Sequence, residues 1–327
     1  MAKRAFITGI TGQDGRHLAE LLLSKQYEVY GLIRGQNNPK KQIIEDTLPA
    51  VKLITGDLTD ISSLVNALQV AEPDEIYNLA AWSFVGGSFN QPILTADVTG
   101  KGILNLLEAV RIIGADKKVK IYQASTSEMF GGLPYNRPKE GYDEMSIFHP
   151  RSPYGVAKLF AHWSAVNYRE SYGMFISCGI LFNHEGPYRG VEFVTRKIST
   201  AVARISLGLQ KEIVLGDLTP RRDWGYAADY VEGMWLMLQQ PKPDDFVLAT
   251  GEAHSISEFI EAAFKEVGIN NWTKYIKQNQ EFIRPSEVDV LIGNPKKAEK
   301  LLNWQRKVDF PELVKLMVNN DIKLQSK

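Results

Sequence analysis

Two short motifs carry side chains that could exchange protons with a bound small molecule. Tyr154 and Lys158 stand four residues apart in the run YGVAK, which follows the residues PRSP. Four residues make about one helical turn, so a phenol and an ammonium at this spacing share one face of a helix. A nearby ammonium favours the phenolate and brings a tyrosine toward the working range of a general acid/base. The pair therefore predicts acid/base chemistry.

The second motif, ASTSEMFG at residues 124–131, directly follows a short apolar run. Thr126 can hydrogen-bond the reacting oxygen and share it with Tyr154, and Glu128 two residues later adds a second base. A plain dehydrogenase does not need that second base. A lone glutamate after a strand is usually solvated or caps a helix, but the combination with Thr126, Tyr154 and Lys158 predicts a catalytic role.

A glycine-rich turn opens the first predicted helix. The residues GITGQDG, at 9–15, would let a pyrophosphate approach the helix N-terminus, where free N–H groups and the helix dipole favour an anion. The spacing is G-x-x-G-x-x-G rather than G-x-G-x-x-G, and alone it could be only a turn. Its strand–turn–helix setting predicts a dinucleotide site. The predicted contacts are Gly9, Thr11, Gly12, Gln13, Asp14 and Gly15.

The end of the second predicted strand bears on the choice of dinucleotide. Many dinucleotide folds place an acidic residue there, on the ribose 2′-hydroxyl, but this chain has Arg34 and no carboxylate before Glu45. A guanidinium suits a 2′-phosphate, so NADP is favoured over NAD, with a solvated surface arginine as the alternative. The segments after the third and fourth strands add the predicted cofactor contacts Asp57, Leu58, Leu79, Ala80 and Ala81.

Apolar runs alternate with helix-period stretches over the first 180 residues, as Leu18, Leu21 and Leu22 illustrate at i, i+3 and i+4. Most runs are continuously apolar, which indicates a parallel sheet covered on both faces. We predict an α/β fold, a Rossmann-like doubly wound parallel sheet with a smaller C-terminal substrate-binding lobe. The NADP-binding domain would span 1–182, with strand 246–250 returning to it, and the lobe 183–245 and 251–327. The predicted strands are 5–8, 29–33, 51–55, 75–80, 119–124 and 175–182.

Composition limits the possible partners and location. The 327 residues include 38 Lys+Arg and 38 Asp+Glu, so no broad field attracts nucleic acid or an acidic membrane. The single cysteine, Cys178, cannot make an internal disulfide and is expected to be a buried strand residue. No apolar run approaches the ~20 residues that span a bilayer, and no secretory segment is recognised. We expect a soluble, cytoplasmic protein without a metal site.

The chain resembles the extended short-chain dehydrogenases/reductases in GITGQDG, NLAA (78–81), STSE (125–128) and YGVAK. Within that group it is most similar to the GDP-mannose 4,6-dehydratase family. The similarity runs from end to end through RSPY (151–154), VNYRESYG (166–173), GILFNHE (179–185), FVTRKI (193–198), RDWG (222–225) and RPSEVD (284–289).

The resemblance implies an internal redox cycle on a GDP-sugar. Tyr154 would take the proton of the sugar 4-hydroxyl while NADP⁺ accepts the C4 hydride. Glu128 would then remove the acidified C5 proton and help expel the C6 hydroxyl as water. The same hydride would return to C6, leaving GDP-4-keto-6-deoxymannose and regenerated cofactor.

The resemblance also implies binding roles by matching position. Arginines suit a diphosphate because a guanidinium offers paired donors, although surface ion pairs are the alternative. The family commonly forms homodimers or homotetramers, in which the loop at 35–41 would reach a neighbour's cofactor. Further cofactor contacts would be Ser83, Lys158, His184 and Arg189. Contacts to the GDP-sugar would be Ser83, Thr126, Asn183, Lys197, Arg222, Arg284 and, on its ribose, Glu287.

Departures from the family pattern leave the sugar open. Gly35 stands where a second arginine is frequent, the usual Gln-Ser-His appears as Trp82-Ser83-Phe84, and Tyr188 replaces one arginine of a common pair. GDP-heptose is therefore an alternative substrate. A reductase or epimerase of a GDP-4-keto sugar would share the fold and NADP but would not need Glu128. A non-catalytic nucleotide sensor would usually lose the catalytic side chains that this chain keeps.

Overall fold

A parallel β-sheet occupies the centre of the computed structural model, which describes residues 2–35, 37–133, 137–279, 286 and 288–326. The strands are β1 (Arg4–Thr8), β2 (Glu28–Ile33), β3 (Lys52–Thr55), β4 (Glu75–Asn78), β5 (Lys120–Thr126), β6 (Phe175–Leu181), β7 (Asn183–Glu185), β8 (Ile213–Leu215), β9 (Arg221–Arg222), β10 (Trp224–Tyr226), β11 (Asp245–Leu248), β12 (His254–Ser255), β13 (Ile276–Gln278) and β14 (Val290–Leu291).

Helices separate most of these strands. They are α1 (Gln13–Ser24), α2 (Lys41–Thr47), α3 (Ile61–Ala71), α4 (Val85–Ser88), α5 (Pro92–Thr95), α6 (Gly102–Ile112), α7 (Pro153–Tyr172), α8 (Val194–Ser206), α9 (Ala227–Gln239), α10 (Ile256–Glu266), α11 (Lys296–Leu302) and α12 (Phe310–Gln325). A π-helical segment, Ala96–Lys101, connects α5 with α6, and 3₁₀ turns occur at Ser127–Met129 and Thr273–Tyr275.

The central sheet has the strand order β3-β2-β1-β4-β5-β6-β11, and every neighbouring pair is parallel. The order reverses between β1 and β4, and open α/β sheets bind ligands outside the carboxyl ends of the strands at such a point. The predicted doubly wound α/β fold is confirmed. The predicted strands correspond to β1–β6 and β11, with ends shifted by one or two residues.

Apolar side chains cover both faces of the sheet. On one face Leu18 of α1 packs in the same cluster as Met234 of α9. On the other face Leu107 of α6 and Ala161 of α7 share a cluster with Cys178 of β6. Burial raises the pKa of the Cys178 thiol well above its ordinary value, so this cysteine behaves as a small apolar residue. Burial of both faces explains why the strands are continuously apolar.

A third apolar cluster lies in the C-terminal part of the chain, where Ile198 of α8, Phe259 of α10 and Val314 of α12 are buried together. Small β-ladders accompany it, formed by β10 with β7, by β12-β9-β14 and by β13 with β8. Packing also crosses the predicted boundary, because α9 of the predicted lobe contacts α1. The division into two domains at residue 182 stays a prediction.

None of the described helices combines the length and apolarity that crossing a bilayer requires. Across the described ranges, His, Cys, Asp and Glu side chains do not form a group of three or more that could hold a metal ion.

Candidate active site

The end of β5 and the first turns of α7 bring the two predicted motifs together. Thr126 shares a hydrogen bond with Tyr154, and its Oγ1 accepts a second one from the backbone nitrogen of Glu128 at 3.3 Å. Lys158 Nζ donates to the carbonyl oxygen of Ala124 at 2.7 Å and lies 5.9 Å from the centre of the Tyr154 ring. The four predicted catalytic side chains are all buried and adjacent.

Local signals place the beginning of α7 against β5. Ser152 has an extended backbone and caps the helix by accepting a hydrogen bond from the Gly155 nitrogen at 3.0 Å, with Pro153 in the first turn. A Cβ atom added to Gly155 would lie 2.9 Å from the carbonyl oxygen of Glu128. The absence of a side chain at position 155 therefore lets Tyr154 approach the turn that carries Glu128.

Burial dominates the electrostatics of the catalytic pair. It raises the pKa of Tyr154 above the ordinary value, a shift that the hydrogen bond from Thr126 opposes and the Glu128 carboxylate increases. Burial lowers the pKa of Lys158 to about 8. Tyr154 consequently keeps its proton at neutral pH, while Lys158 is mostly charged. Additional positive charge beside the phenol would bring its pKa down toward the working range of a base.

The glycine turn before α1 packs directly on the segment after β4. Gly9 has φ +75°, and a Cβ there would lie 2.8 Å from the Ala80 nitrogen. A Cβ on Gly15 would lie 2.4 Å from the carbonyl oxygen of Gly9. None of the described side chains caps the N-terminus of α1 at Gly12, so its first N–H groups are available to a ligand. This narrow cradle of backbone donors fits the pyrophosphate of a dinucleotide.

A chain of hydrogen bonds connects the glycine turn with the catalytic lysine. Thr8 Oγ1 donates to Asn78 Oδ1 at 2.7 Å, and Asn78 Nδ2 donates to Gln123 Oε1 at 2.7 Å. Gln123 Nε2 then donates at 3.0 Å to the Ala124 carbonyl oxygen, which also accepts the Lys158 ammonium. Sequence motifs alone did not predict roles for Thr8 and Gln123. Their roles follow from the register of the strands, which places Thr8 and Gln123 on either side of Asn78. That register is known only when the pairing of β1, β4 and β5 is known.

Strand β7 lies against the glycine turn through an ion pair. His184 Nε2 is 2.8 Å from Asp14 Oδ2, its Nδ1 donates to the Phe182 carbonyl oxygen at 2.7 Å, and Gln13 Nε2 donates to the His184 carbonyl oxygen at 3.0 Å. Burial lowers the pKa of His184, but the Asp14 carboxylate outweighs burial and raises it above the ordinary value. Burial raises the pKa of Asp14, and His184 overcomes this and lowers it to about 2. These three predicted cofactor residues thus hold one another in place.

Arg189 lies near the same junction. Its Nε is 3.0 Å from Glu185 Oε2, and its guanidinium stacks 3.6 Å from the centre of the Phe193 ring. Glu185 is almost fully buried and also accepts a hydrogen bond from Thr195 Oγ1 at 2.6 Å. The positive charge of Arg189 lowers the pKa of Tyr154, although less than burial raises it. Arg189 is therefore close enough for its charge to act on the Tyr154 phenol.

Other predicted cofactor residues lie at the edge of this region. Arg34 follows β2 and is exposed. Asp57 follows β3, and its Oδ1 accepts hydrogen bonds from both the nitrogen and the hydroxyl of Thr59. The Leu58 side chain is buried in the core, which leaves only its backbone to face a ligand. Thr11, Leu79 and Ala81 are half-buried, and Ser83 is exposed.

The residues that the resemblance assigns to the GDP-sugar are more dispersed. Asn183 begins β7, and its Oδ1 is buried without a hydrogen-bond partner among the described residues. Lys197 on α8 lines a surface hollow together with Gln210, and burial lowers its pKa. Arg222 is buried and donates to the Val288 carbonyl oxygen at 2.6 Å. Arg284 and Glu287 lie outside the described residues.

The structure shows the surroundings of three residues that depart from the family pattern, Tyr188, Phe84 and Gly35. The Tyr188 hydroxyl donates to Glu20 at 2.8 Å, and the Arg16 guanidinium stacks on the Tyr188 ring at 3.5 Å. An aromatic platform for Arg16 thus replaces a second arginine at position 188. Phe84 packs edge-on against Phe193, 5.9 Å between ring centres. Gly35 has φ +73° and open space where a Cβ would be.

Comparison with known proteins places the chain in a family. The family model described as GDP-mannose 4,6 dehydratase matches residues 6–317. GDP-mannose 4,6 dehydratase 2 of Arabidopsis thaliana is 52% identical, covering 98% of this chain and 87% of that protein. GDP-mannose 4,6 dehydratase of Dictyostelium discoideum is 49% identical, covering 98% of this chain and 96% of that protein.

A solved structure has the same fold as this chain. The UDP-glucose 4-epimerase of Thermus thermophilus, in complex with NAD, superposes with a TM-score of 0.82 at 27% identity and covers 97% of this chain and 98% of its own. Together with the family model and the relatives, the arrangement of the β5 and α7 motifs leads to one conclusion: this chain belongs to the GDP-mannose 4,6-dehydratase family.

Proposed function

We propose that the protein converts GDP-D-mannose to GDP-4-keto-6-deoxy-D-mannose with loss of one water, using NADP that is regenerated in each turnover. The observation that carries the proposal is the position of Glu128, buried beside Thr126 and Tyr154. A reductase or epimerase needs the tyrosine and the lysine, but it has no elimination step that would require a second base. The glycine turn before α1 and the catalytic pair of Tyr154 and Lys158 lie at the same edge of the sheet, as an enzyme that uses a dinucleotide requires.

The side chains would divide the work as follows. Thr126 and Tyr154 hold the sugar 4-hydroxyl, and the Tyr154 oxygen takes its proton. Tyr154 would have to lose its own proton before this transfer, and the Lys158 ammonium, with the positive charge of the oxidised nicotinamide, would stabilise the resulting phenolate. Glu128 removes the C5 proton and delivers a proton to the departing C6 hydroxyl, which leaves as water. The bound nicotinamide supplies the reversible oxidation and reduction at the sugar carbons.

Turnover of GDP-mannose with catalytic NADP⁺ tests the proposal directly. Mass spectrometry should show a product lighter by one water, and no net NADPH should form. Turnover of GDP-heptose in place of GDP-mannose would keep the mechanism and correct the sugar; the Trp82 and Phe84 departures motivate this second substrate. NADPH consumption with a GDP-4-keto sugar, and no turnover of either GDP-sugar, would identify a reductase instead.

We propose NADP rather than NAD because Arg34 follows β2, where NAD-binding folds often have a carboxylate. Arg34→Asp is expected to weaken NADP binding by roughly 10- to 100-fold, the loss of a charge-assisted contact to a phosphate, and to affect NAD binding much less. Titration calorimetry with both dinucleotides measures this preference. Lys118→Asp makes the same charge change at an exposed site before β5 and should leave the preference unchanged. Equal losses for the two dinucleotides would contradict the assignment.

The lowered pKa of Lys158 predicts how activity depends on pH. The ammonium is present below about pH 8 and is lost as the pH rises through that value. Because the ammonium stabilises the phenolate, kcat/KM should fall above about pH 8. In Lys158→Arg the guanidinium keeps its charge beyond pH ~12, so the variant should be slower but lack this alkaline decline. Initial rates across the pH range check this, and an identical decline in the variant would assign it to another group.

We propose that the protein forms a homodimer or homotetramer in the cytoplasm. Val156, Phe160 and Trp163 recur at i, i+4 and i+7 on α7, and each is about half exposed. A two-fold interface uses the same patch on both copies, and an uncharged apolar row is complementary to itself. Trp163→Glu should therefore lower the mass seen by light scattering, whereas Val70→Glu, at an even more exposed site on α3, should not. An unchanged mass for the Trp163 variant would remove α7 from the interface.

A further inference from the structure

Residues 124–126 at the end of β5 each hold one side chain of α7. The first and third of them hold Lys158 and Tyr154. The middle one, Ser125, has its Oγ 2.9 Å from Nδ1 of His162. Both members of this pair are more than nine-tenths buried, and the reaction steps proposed above use neither.

His162 lies one helical turn after Lys158 and contacts a second part of the site. Its ring meets Phe148 edge-on, 5.4 Å between ring centres. Phe148 in turn stacks on Phe130 at 5.1 Å, and Phe130 follows Glu128 by two residues. The imidazole therefore touches the strand that carries Thr126 and the aromatic stack that supports the Glu128 turn.

The surroundings keep the imidazole neutral. Burial lowers the pKa of His162 below its ordinary value. The charged groups that act on it are Asp245 and Arg169, which pair with each other through two hydrogen bonds of 2.7 and 2.9 Å. Since their opposite charges largely cancel at the ring, the bond to Ser125 is a contact between two uncharged groups. A neutral, enclosed imidazole is suited to holding structure rather than to exchanging protons with a sugar.

We infer that the Ser125–His162 hydrogen bond positions α7 along β5, so that Tyr154 and Lys158 meet their partners on the strand. The inference rests on the catalytic roles proposed above for those two residues. Their own contacts lie within one turn of the helix, and the far end of α7 is held separately by Tyr168 and Arg169, which bond Glu108 and Asp245. The Ser125–His162 bond ties the helix to β5 between these two ends and sets its position along the strand, and small displacements of reacting groups lower rates steeply.

Substitutions at both ends of this contact test the inference. His162→Phe keeps the ring packing and removes the nitrogen, and Ser125→Ala removes the hydroxyl. Each should lower kcat for GDP-mannose by roughly 10- to 100-fold while KM and the Kd for NADP stay unchanged. The double variant should be no slower than Ser125→Ala alone, because both changes break the Ser125–His162 bond and Ser125→Ala also removes the contact of the hydroxyl with the Cys178 thiol. His162→Asn, whose amide can reach the position of Nδ1, should recover part of the rate.

Ser164→Ala is the matched control on the same helix. Among the described residues, the Ser164 hydroxyl bonds only the Phe160 carbonyl oxygen, at 2.8 Å, and its removal should not affect kcat. If His162→Phe fails to fold, Ser125→Ala and His162→Asn still decide the question. A folded Ser125→Ala variant with the kcat of the parent protein would overturn the inference.

A measurement without substrate separates this inference from the proposed function. The Lys158 pKa can be followed by NMR on ¹³C-methylated lysines, with Lys158→Arg to assign the signal. In the parent protein it should lie near 8, with Asp14 as the charged group that acts on it. In the Ser125 and His162 variants it should rise toward the ordinary lysine value, because a helix displaced along β5 lets water reach Nζ. If it does not move, the inference fails. If it moves in a protein that leaves GDP-mannose untouched, the positioning contact stands and the proposed function fails.

Discussion

Glu128→Gln is expected to lower the turnover of GDP-mannose by about 10²- to 10⁴-fold, the usual contribution of a general base. Glutamine has the size of glutamate but cannot take a proton at neutral pH. Oxidation at C4 depends on Tyr154 and should still occur, so reduced cofactor should accumulate to about one equivalent per site. Its absorbance, and the loss of solvent deuterium incorporation at C5, are the two measurements.

The matched control is Glu170→Gln, an exposed carboxylate on α7 that should be neutral for activity. Cofactor affinity of the Glu128 variant should equal that of the parent protein, which would show that the site is intact. If the variant still exchanges the C5 proton with solvent at the parental rate, Glu128 is not the base. The Glu128 turn would then have only a structural role.

Tyr154→Phe should also lower kcat by about 10²- to 10⁴-fold, but at an earlier step. Phenylalanine keeps the buried ring and removes the hydroxyl that bonds Thr126. Without a group to take the 4-hydroxyl proton, no reduced cofactor should accumulate, in contrast to Glu128→Gln. Stopped-flow absorbance with a single turnover of substrate distinguishes the two variants.

Tyr168→Phe offers a control on the same helix. The Tyr168 hydroxyl donates to Glu108 at 2.6 Å, on the part of α7 that packs against α6, and its removal should cost about 1 kcal/mol of stability without affecting the reaction. Accumulation of reduced cofactor in Tyr154→Phe would mean that another group starts the reaction. Thr126 would be the first candidate, because it contacts the same phenol.

Local sequence patterns were sufficient for the elements that carry chemistry. The glycine turn, the β5 end and the first turn of α7 each follow from neighbouring residues, as the Ser152 cap and Gly155 illustrate. Continuous apolar runs predicted the parallel strands because both faces of the sheet are buried. What these patterns do not contain is the lateral order of the strands, which brings Asn78 beside Gln123.

Contacts between distant parts of the chain account for most of what was missed. The glycine turn assigned Gln13 and Asp14 to the cofactor, and matching position assigned His184, but nothing in the sequence indicated that they bind one another. The packing of α9 against α1 was equally invisible, because an apolar helix face does not identify its partner. The roles of the GDP-sugar residues stay predictions, and those of Arg284 and Glu287 fall outside the described residues.

The ion pair between Asp14 and His184 joins two residues that are 170 positions apart in the chain. This separation has a consequence for biosynthesis. Translation runs from the N-terminal side, so the glycine turn leaves the ribosome before the segment that carries His184. A nascent chain that ends before His184 has the turn but neither the imidazole that neutralises Asp14 nor the carbonyl group that binds Gln13. The pocket begun at residues 9–15 is completed only when the chain has been extended by about 170 further residues.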